Sequence, residues 1–274
     1  MTMSPDTSAA KPQTPEQDLV LVEDRGDYAV MTINRPEKRN AMSSAAQRRF
    51  RAALAETVEK KVVVLTGVGP SFCAGVDLVE ARNAPRASGR RPSQVPLSWT
   101  QCQADLRAHP AIFVAAVNGF ALGGGSTLIN NCELAVAAES ATIGTPEIGF
   151  GAWPTQAGPA MIKRVLPKHA AEIIFSARRI DAATAFRMGL VNEVVPDDQL
   201  LERACQIAEH IAGFDAIALD WGKKAYHHLQ GLGWDDALDY STNTSSIVSR
   251  EQGAAAEAGL DRFAAGHRGS GQGA

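Results

Sequence analysis

Two glycine-containing turns, each following a short apolar run, constrain the fold of this chain more than any other feature. Residues 62–66 (VVVLT) precede the turn at 71–78 (SFCAGVDL), and residues 112–117 (IFVAAV) precede the turn at 118–125 (NGFALGGG). Apolar runs of this length favour strands buried on both faces of a parallel sheet. In a βαβ unit, the turn after the strand directs unpaired backbone N–H groups towards the start of a helix, where the helix dipole favours negative charge. Two such turns can converge on one oxygen.

The neighbouring segments continue this α/β pattern. Residues 18–23 and 27–34 alternate apolar and polar side chains around a glycine, which predicts a β-hairpin. Residues 43–55 have helical apolar spacing, a helix is expected to begin at Gly124, and residues 133–137 form another apolar run. The sequence therefore predicts an α/β core of stacked βαβ turns.

The last third of the chain has a different, mainly helical pattern. Helices are predicted at 160–165, 169–177, 182–188, 199–212 and 216–229, with a strand-like run at 190–195. Residues 234–265 are mostly helical by composition. We predict a disordered N-terminal tail (1–16), a core (17–200), a C-terminal helical region (201–267) and a flexible tail (268–274).

Composition limits the classes of partner. The 274 residues include 27 Lys and Arg against 30 Asp and Glu, a formal net charge of −3 that gives no attraction to nucleic acid or acidic membranes. No apolar run is long enough to span a bilayer, and the N-terminus does not resemble a signal peptide, so a cytoplasmic location is expected. The four scattered cysteines form no metal-ligand spacing with histidines, so no metal is expected.

An arginine-containing segment at 82–92 (RNAPRASGRRP) is predicted to be a mobile surface loop. It is either a solvated run of charge or a contact for the phosphates of a nucleotide-like ligand.

Glu147 is the residue most suited to proton transfer. It follows Pro146 in a glycine-bounded turn among Ile143, Phe150 and Trp153, so partial desolvation should raise the pKa of its carboxyl group. Asp77 is interpreted as a helix N-cap or loop-fixing carboxylate, and Cys73 as an inert buried thiol, because no histidine accompanies it.

Together these motifs resemble the crotonase (enoyl-CoA hydratase/isomerase) superfamily. The resemblance spans about residues 18–265 and rests, in family order, on 33–36 (INRP), 40–42 (NAM), 72–77 (FCAGVD), 118–125, 144–149 (GTPEIG), 179–182 (RIDA) and 189–191 (GLV). It implies the ClpP/crotonase-like α/β spiral of ββα repeats, a C-terminal helical trimerisation region, and a homotrimer or dimer of trimers.

The resemblance also implies an acyl-CoA thioester substrate. Its enolate oxygen would be bound in an oxyanion hole formed by the backbone N–H groups of Val76 and Gly124. No cofactor is expected beyond the coenzyme A that the substrate carries. The adenine would lie near residues 38–41 and 74–76, and the CoA-binding residues would be Lys38, Arg39, Ala41, Ala74, Val76, Asp77 and Leu78. Phe150 and Trp153 would line the acyl pocket.

One position departs from the hydratases of the superfamily. These use two glutamates to hold a water molecule, and Thr127 stands where the first would be, which leaves Glu147 as the single acid/base. One carboxylate suffices for double-bond isomerisation, as in the Δ3,Δ2-enoyl-CoA isomerases. An alternative is a hydratase, or a relative of the hydroxycinnamoyl-CoA hydratase-lyases, in which Thr127 and Glu147 position water. A third hypothesis is a non-catalytic relative that binds acyl-CoA or RNA.

Overall fold

The strands of the protein form two sheets in the computed structural model, which describes residues 14–83 and 97–253. In chain order the strands are β1 (Val20–Asp24), β2 (Tyr28–Ile33), β3 (Val62–Gly67), β4 (Ser71–Cys73), β5 (Ile112–Val117), β6 (Phe120–Leu122), β7 (Leu134–Ala138), β8 (Thr142–Gly144), β9 (Arg179–Asp181) and β10 (Glu193–Val195). The larger sheet has the order β1-β2-β3-β5-β7-β10, and the smaller has the order β4-β6-β8-β9.

The helices lie between and after these strands. They are α1 (Ser44–Glu56), α2 (Leu78–Asn83), α3 (Leu97–Ala108), α4 (Gly124–Asn131), α5 (Ala157–Arg164), α6 (Pro167–Ser176), α7 (Ala182–Arg187), α8 (Leu200–Ala212), α9 (Ala216–Leu229) and α10 (Trp234–Gln252). A 3-10 turn at Pro146–Phe150 connects β8 to the segment before α5. None of the helices in residues 14–83 and 97–253 combines the length and the hydropathy that a membrane span requires.

The predicted hairpin and buried strands are confirmed. Strands β1 and β2 pair antiparallel, with Val20 opposite Ile33. Strands β2, β3, β5 and β7 are parallel neighbours, and every residue of β3 is buried. Such nearly continuous apolar runs are typical of strands covered on both faces.

The chain repeatedly passes from the larger sheet to the smaller one and then into a helix. Strand β3 leads to β4, and β5 leads through β6 into α4. The predicted spiral of ββα repeats is thus confirmed. Strands β4 and β6 lie within the segments predicted only as turns, because a strand of three residues shows no alternation that could reveal it.

Helix α8 covers one face of the larger sheet. Its buried residues are four apart and pack beside Val64, Val114 and Val136; they are Leu200, Ala204, Ala208 and Ala212. The first helix after the core therefore shares the core's apolar cluster, while the domain boundary at residue 200 stays a prediction.

Two side chains of α9, His227 and Lys223, contact the core. His227 Nε2 lies 2.7 Å from Glu133 Oε1, and Lys223 Nζ lies 3.4 Å from Glu133 Oε2. Lys223 is 3% exposed and donates to the Ala111 carbonyl at 2.7 Å. These contacts attach α9 to the core beside the start of β5.

Parts of three predictions lie outside the described residues. They concern the N-terminal tail up to residue 13, the arginine-containing loop from 84 to 92, and the C-terminal segment from 254 onward.

Candidate active site

A cleft lies between the two glycine-containing turns, the Pro146–Phe150 turn and the start of α5. It encloses about 600 Å³ of empty space, including its open mouth. It brings together six of the predicted site residues, namely Ala74, Val76, Leu78, Gly124, Thr127 and Glu147, together with the predicted pocket residues Phe150 and Trp153. The described part of its wall is completed by Gly75, Trp99, Gly123, Pro146, Thr155, Gln156 and Ala157.

The two glycine-containing turns meet at Gly75 and Gly124. A Cβ atom on Gly75 would lie 2.9 Å from the Gly124 nitrogen and 2.8 Å from the Leu122 carbonyl oxygen. Conversely, a Cβ on Gly124 would lie 3.1 Å from the Gly75 Cα. Gly75 also has a φ of +92°, which side-chain-bearing residues rarely adopt. The contact between the turns therefore depends on the absence of side chains.

The backbone N–H groups of Val76 and Gly124 have no acceptor within the described residues. Gly124 is the first residue of α4, where an amide has no partner inside the helix. Val76 forms a parallel bridge with Met42, and the bridge uses the Gly75 carbonyl and the Asp77 amide. The Val76 amide therefore points away from Met42. Two unpaired donors on touching turns make a suitable site for a developing negative charge.

Glu147 faces the turn that precedes α4. A Cβ on Gly123 would lie 2.7 Å from Glu147 Oε1, and Gly123 has a φ of +54°. Glu147 Oε2 is buried and has no hydrogen-bond partner among the described residues. Burial raises the pKa of Glu147, although a backbone hydrogen bond partly opposes the rise. The predicted upward shift is confirmed.

Thr127 lies one helical turn after Gly124 and is buried. Its hydroxyl donates to the Gly123 carbonyl at 3.2 Å, so the lone pairs of the oxygen remain available as acceptors. Glu147 is the only ionisable side chain among the described residues that line the cleft. The cleft thus pairs one carboxylate with one hydroxyl.

Asp77 fixes the first turn, as predicted. Its Oδ1 accepts from the Val79 and Glu80 amides, both at 3.1 Å, and its Oδ2 accepts from Arg35 Nη1 at 2.6 Å. Partial burial disfavours the charged form, but the Arg35 and Glu80 hydrogen bonds prevail and hold the pKa of Asp77 below its usual value. Its side chain thus fixes the turn that carries the Val76 amide.

The side chain of Cys73 is buried beside this turn. Burial raises the pKa of its thiol to about 12, and its sulfur accepts from the Gly75 amide at 3.3 Å. The thiol is therefore uncharged near neutral pH, in agreement with the sequence-based interpretation.

The predicted CoA segment runs beside the first turn. The Ala74 amide donates to the Arg39 carbonyl at 2.9 Å, and the Met42 amide donates to Gly75 at 2.8 Å. Lys38 and Arg39 are exposed, and neither they nor Ala41 line the cleft itself. The Arg39 guanidinium lies 5.9 Å from the centroid of the Phe120 ring.

Sequence reasoning missed Trp99, which forms part of the cleft wall. Trp99 is 1% exposed, and a Cβ on Gly124 would lie 3.0 Å from its Cζ2 atom. The spacing of Trp99, Cys102 and Leu106 follows one face of α3 and could have indicated a buried helix. No local signal shows that this face reaches Gly124.

Comparisons with known proteins agree with this arrangement. The family model for enoyl-CoA hydratase/isomerase matches residues 23–264. A short-chain-enoyl-CoA hydratase of Clostridium acetobutylicum is 34% identical over 228 residues, covering 81% of this chain and 86% of its own. A hydroxycinnamoyl-CoA hydratase-lyase of Pseudomonas fluorescens is 32% identical over 256 residues, covering 89% and 91%. The crystal structure of an enoyl-CoA hydratase from Mycobacterium smegmatis has a TM-score of 0.84 at 27% identity and covers 91% of this chain and 97% of its own.

Proposed function

The chain belongs to the enoyl-CoA hydratase/isomerase family, and from this premise we propose that it shifts the double bond of a 3-enoyl-CoA thioester to the 2-position. The observation that carries this proposal is the single carboxylate of the cleft, Glu147, which is the only ionisable group among its described lining residues. One base that removes a proton from one carbon and returns it to another is sufficient for this reaction.

The proposed reaction begins when the Glu147 carboxylate removes a proton from C2 of the acyl group. The electrons of the broken C–H bond move into the thioester carbonyl, whose oxygen becomes negatively charged. The Val76 and Gly124 amides donate to this oxygen, and losing one such donor typically costs about 2.7–4 kcal/mol of barrier. Protonated Glu147 then delivers the proton to C4, and the double bond becomes conjugated with the carbonyl.

The raised pKa of Glu147 predicts the pH dependence of this reaction. We expect kcat/KM to increase with pH through one ionisation with a midpoint above 4.5, the ordinary glutamate value, because the charged carboxylate is the base. Initial rates with trans-3-hexenoyl-CoA, measured in buffers of constant ionic strength, test this expectation. A kcat/KM that shows no ionisation with a midpoint above 4.5 on the acidic side of its pH profile would contradict this expectation.

Hydration, as in an enoyl-CoA hydratase or a hydroxycinnamoyl-CoA hydratase-lyase, is the second candidate function. The Thr127 hydroxyl donates to the Gly123 carbonyl and can accept a hydrogen bond from a water molecule beside Glu147. Glu147 would remove a proton from this water as its oxygen adds to C3, and the electrons of the C2=C3 double bond would move into the thioester carbonyl. Protonated Glu147 would then deliver the proton to C2. The names of the relatives support this candidate, since the C. acetobutylicum protein is a hydratase and the P. fluorescens protein a hydratase-lyase.

An oxygen-18 experiment with Thr127→Val distinguishes the two candidates. The purified chain is incubated with trans-3-hexenoyl-CoA, crotonyl-CoA and feruloyl-CoA in oxygen-18 water, and the products are analysed by mass spectrometry. We expect the 3-enoyl ester to become its 2-enoyl isomer without the label, and Thr127→Val to retain this activity because valine preserves the shape of threonine. Labelled 3-hydroxyacyl product that disappears in Thr127→Val would instead establish hydration.

If the protein binds the three esters but converts none of them, the result would favour the third candidate, a non-catalytic acyl-CoA binder. The net charge of −3 makes RNA a poor partner for such a protein.

For coenzyme A, we propose that the adenine lies along the backbone of residues 38–41 and 74–76, with Lys38 and Arg39 close to the phosphates. Their exposure beside the first turn supports this position. No further cofactor is required for the proposed proton transfer.

We also propose assembly into a homotrimer or a dimer of trimers. Three large apolar side chains are exposed in this region. Leu166 directly precedes α6, Phe175 lies in α6, and Phe186 lies in α7. Burial of these side chains against neighbouring subunits would remove apolar surface from water.

A further inference from the structure

A second cavity joins the cleft on the far side of Thr127, and we call it the distal chamber. It contains about 1660 Å³ of empty space, including its open mouth. Thr127, Thr155 and Gln156 line both the cleft and the chamber. The remaining described wall consists of residues of α3, α4, α5 and the end of α9. The two cavities are therefore adjacent at Thr127, and an acyl group that extends from the cleft past Thr127 would enter the chamber.

Helix α4 runs from the cleft to the chamber. Gly124, Thr127 and Asn130 follow one another at intervals of three residues, which places them along one side of the helix. The distance from Gly124 to Asn130 along the axis is roughly 9 Å at about 1.5 Å per residue. A thioester carbonyl at Gly124 would thus be several carbon atoms away from a group bound near Asn130.

The chamber wall is positively charged. Arg107, Lys163 and Arg164 line it, and its described lining includes no aspartate or glutamate. None of these three side chains forms an ion pair with another described residue. Partial burial and, to a lesser extent, the charge of Arg164 lower the pKa of Arg107. Glu133, an acid whose charge acts on Arg107, already contacts Lys223 and His227.

The chamber also contains buried polar atoms without a hydrogen-bond partner among the described residues. These atoms are Gln103 Nε2, Asn130 Oδ1, Gln156 Oε1, Arg164 Nη2 and His227 Nδ1. Gln103 is 7% exposed and Asn130 is 3% exposed, so they are not simply surface groups. Because buried polar groups normally have partners, these atoms require water or a polar ligand.

The geometry holds these groups in place. Arg164 Nε donates to the Asn130 carbonyl at 2.7 Å, and Arg164 Nη1 donates to the Tyr226 hydroxyl at 2.6 Å. Its remaining nitrogen, Nη2, is then fixed and available to an acceptor. Gln103 accepts from Asn131 through its oxygen, which leaves its NH₂ group as a second donor.

We infer that the distal chamber binds a carboxylate at the far end of the acyl group, so that the substrates are ω-carboxyacyl-CoA thioesters. Arg164 Nη2 and Gln103 Nε2 donate to this carboxylate, and Arg107 and Lys163 add positive charge around it. The unpaired oxygens of Asn130 and Gln156 accept from water that bridges to the same group. The inference rests on the proposed function only for the position of the thioester in the cleft.

Calorimetric titration of the full chain with saturated, unreactive esters tests this inference. The matched pairs are hexanoyl-CoA with adipyl-CoA and octanoyl-CoA with suberyl-CoA, and free CoA is measured beside them. We expect the carboxylated member of at least one pair to bind about tenfold tighter or more, because charge-assisted hydrogen bonds are the stronger kind. Arg164→Gln should reduce this preference towards equality, whereas Arg48→Gln, on an exposed surface of α1, should preserve it.

Three outcomes would overturn the inference. Equal affinity within both pairs would exclude a carboxylate site. This result is also expected if a second copy of the chain fills the chamber. An equal loss of affinity for free CoA and all four esters in Arg164→Gln would assign the chamber to the CoA phosphates. A failure of every CoA compound to bind would contradict the proposed function as well.

Circular dichroism would reveal whether Arg164→Gln folds correctly. If it does not, a second variant tests the same inference. Arg107 and Lys163 are exposed, so the double variant Arg107→Gln/Lys163→Gln changes charge with little effect on packing. It should also lower the preference for the carboxylated ester, and an unchanged preference would contradict the inference.

Discussion

Glu147→Gln is expected to lower kcat for isomerisation by a factor of about 10²–10⁴, the usual contribution of a positioned acid/base. Glutamine preserves the shape of the side chain beside Gly123 but cannot accept the C2 proton. Binding of hexanoyl-CoA, which does not react, should be nearly unchanged. Steady-state rates and calorimetry on the same preparation separate the two effects. Undiminished turnover would remove Glu147 from its proposed role.

The same substitution should stabilise the fold at neutral pH. Because the folded-state pKa of Glu147 is raised, the carboxyl group favours folding most when it is protonated, and this contribution is lost as pH increases through the folded pKa. The neutral amide avoids this loss. The urea midpoint of Glu147→Gln should exceed that of the parent at pH 7, and the difference should shrink as the solution is acidified.

Glu139→Gln is the matched control for both measurements, since Glu139 is an exposed carboxylate that does not line the cleft. It should change neither turnover nor the urea midpoint appreciably. A gain in stability of the same size in both variants would show that the effect is not specific to the buried carboxyl group of Glu147.

Gly75→Ala is the second substitution with a large expected effect. The new Cβ would lie within 3 Å of the Leu122 carbonyl oxygen and the Gly124 nitrogen, as the distances of 2.8 Å and 2.9 Å show. The two turns must then move apart, and the Val76 and Gly124 amides can no longer bind one oxygen together. We expect kcat to fall by about 10²–10³, the effect of losing one oxyanion donor.

Gly26→Ala separates this effect from ordinary backbone strain. Gly26 has a φ of +81°, close to that of Gly75, but a Cβ there would have no atom within 4 Å. Both alanine variants should lose some stability, measured by urea denaturation, because alanine disfavours positive φ. Only Gly75→Ala should lose turnover; equal catalytic losses in the two variants would contradict an oxyanion hole at the contact between the turns.

The local features of this protein could be predicted from its sequence. The run that became β5 is apolar throughout, and the run that became β3 contains one polar residue, Thr66, so burial on both faces could be predicted from these residues alone. The raised pKa of Glu147 was also predictable, because the apolar residues that desolvate it are its neighbours along the chain. The order of the motifs predicted the family and the ββα spiral.

The contacts between distant segments were decided only by the tertiary structure. Strands β4, β6, β8 and β9 have three residues each and are stabilised by pairing with one another, so no local periodicity reveals them. Trp99 reaches Gly124 from another part of the chain, and the distal chamber combines residues of α3, α4, α5 and α9. Sequence patterns report which side chains avoid water, whereas the identity of the partner that buries each one depends on long-range packing.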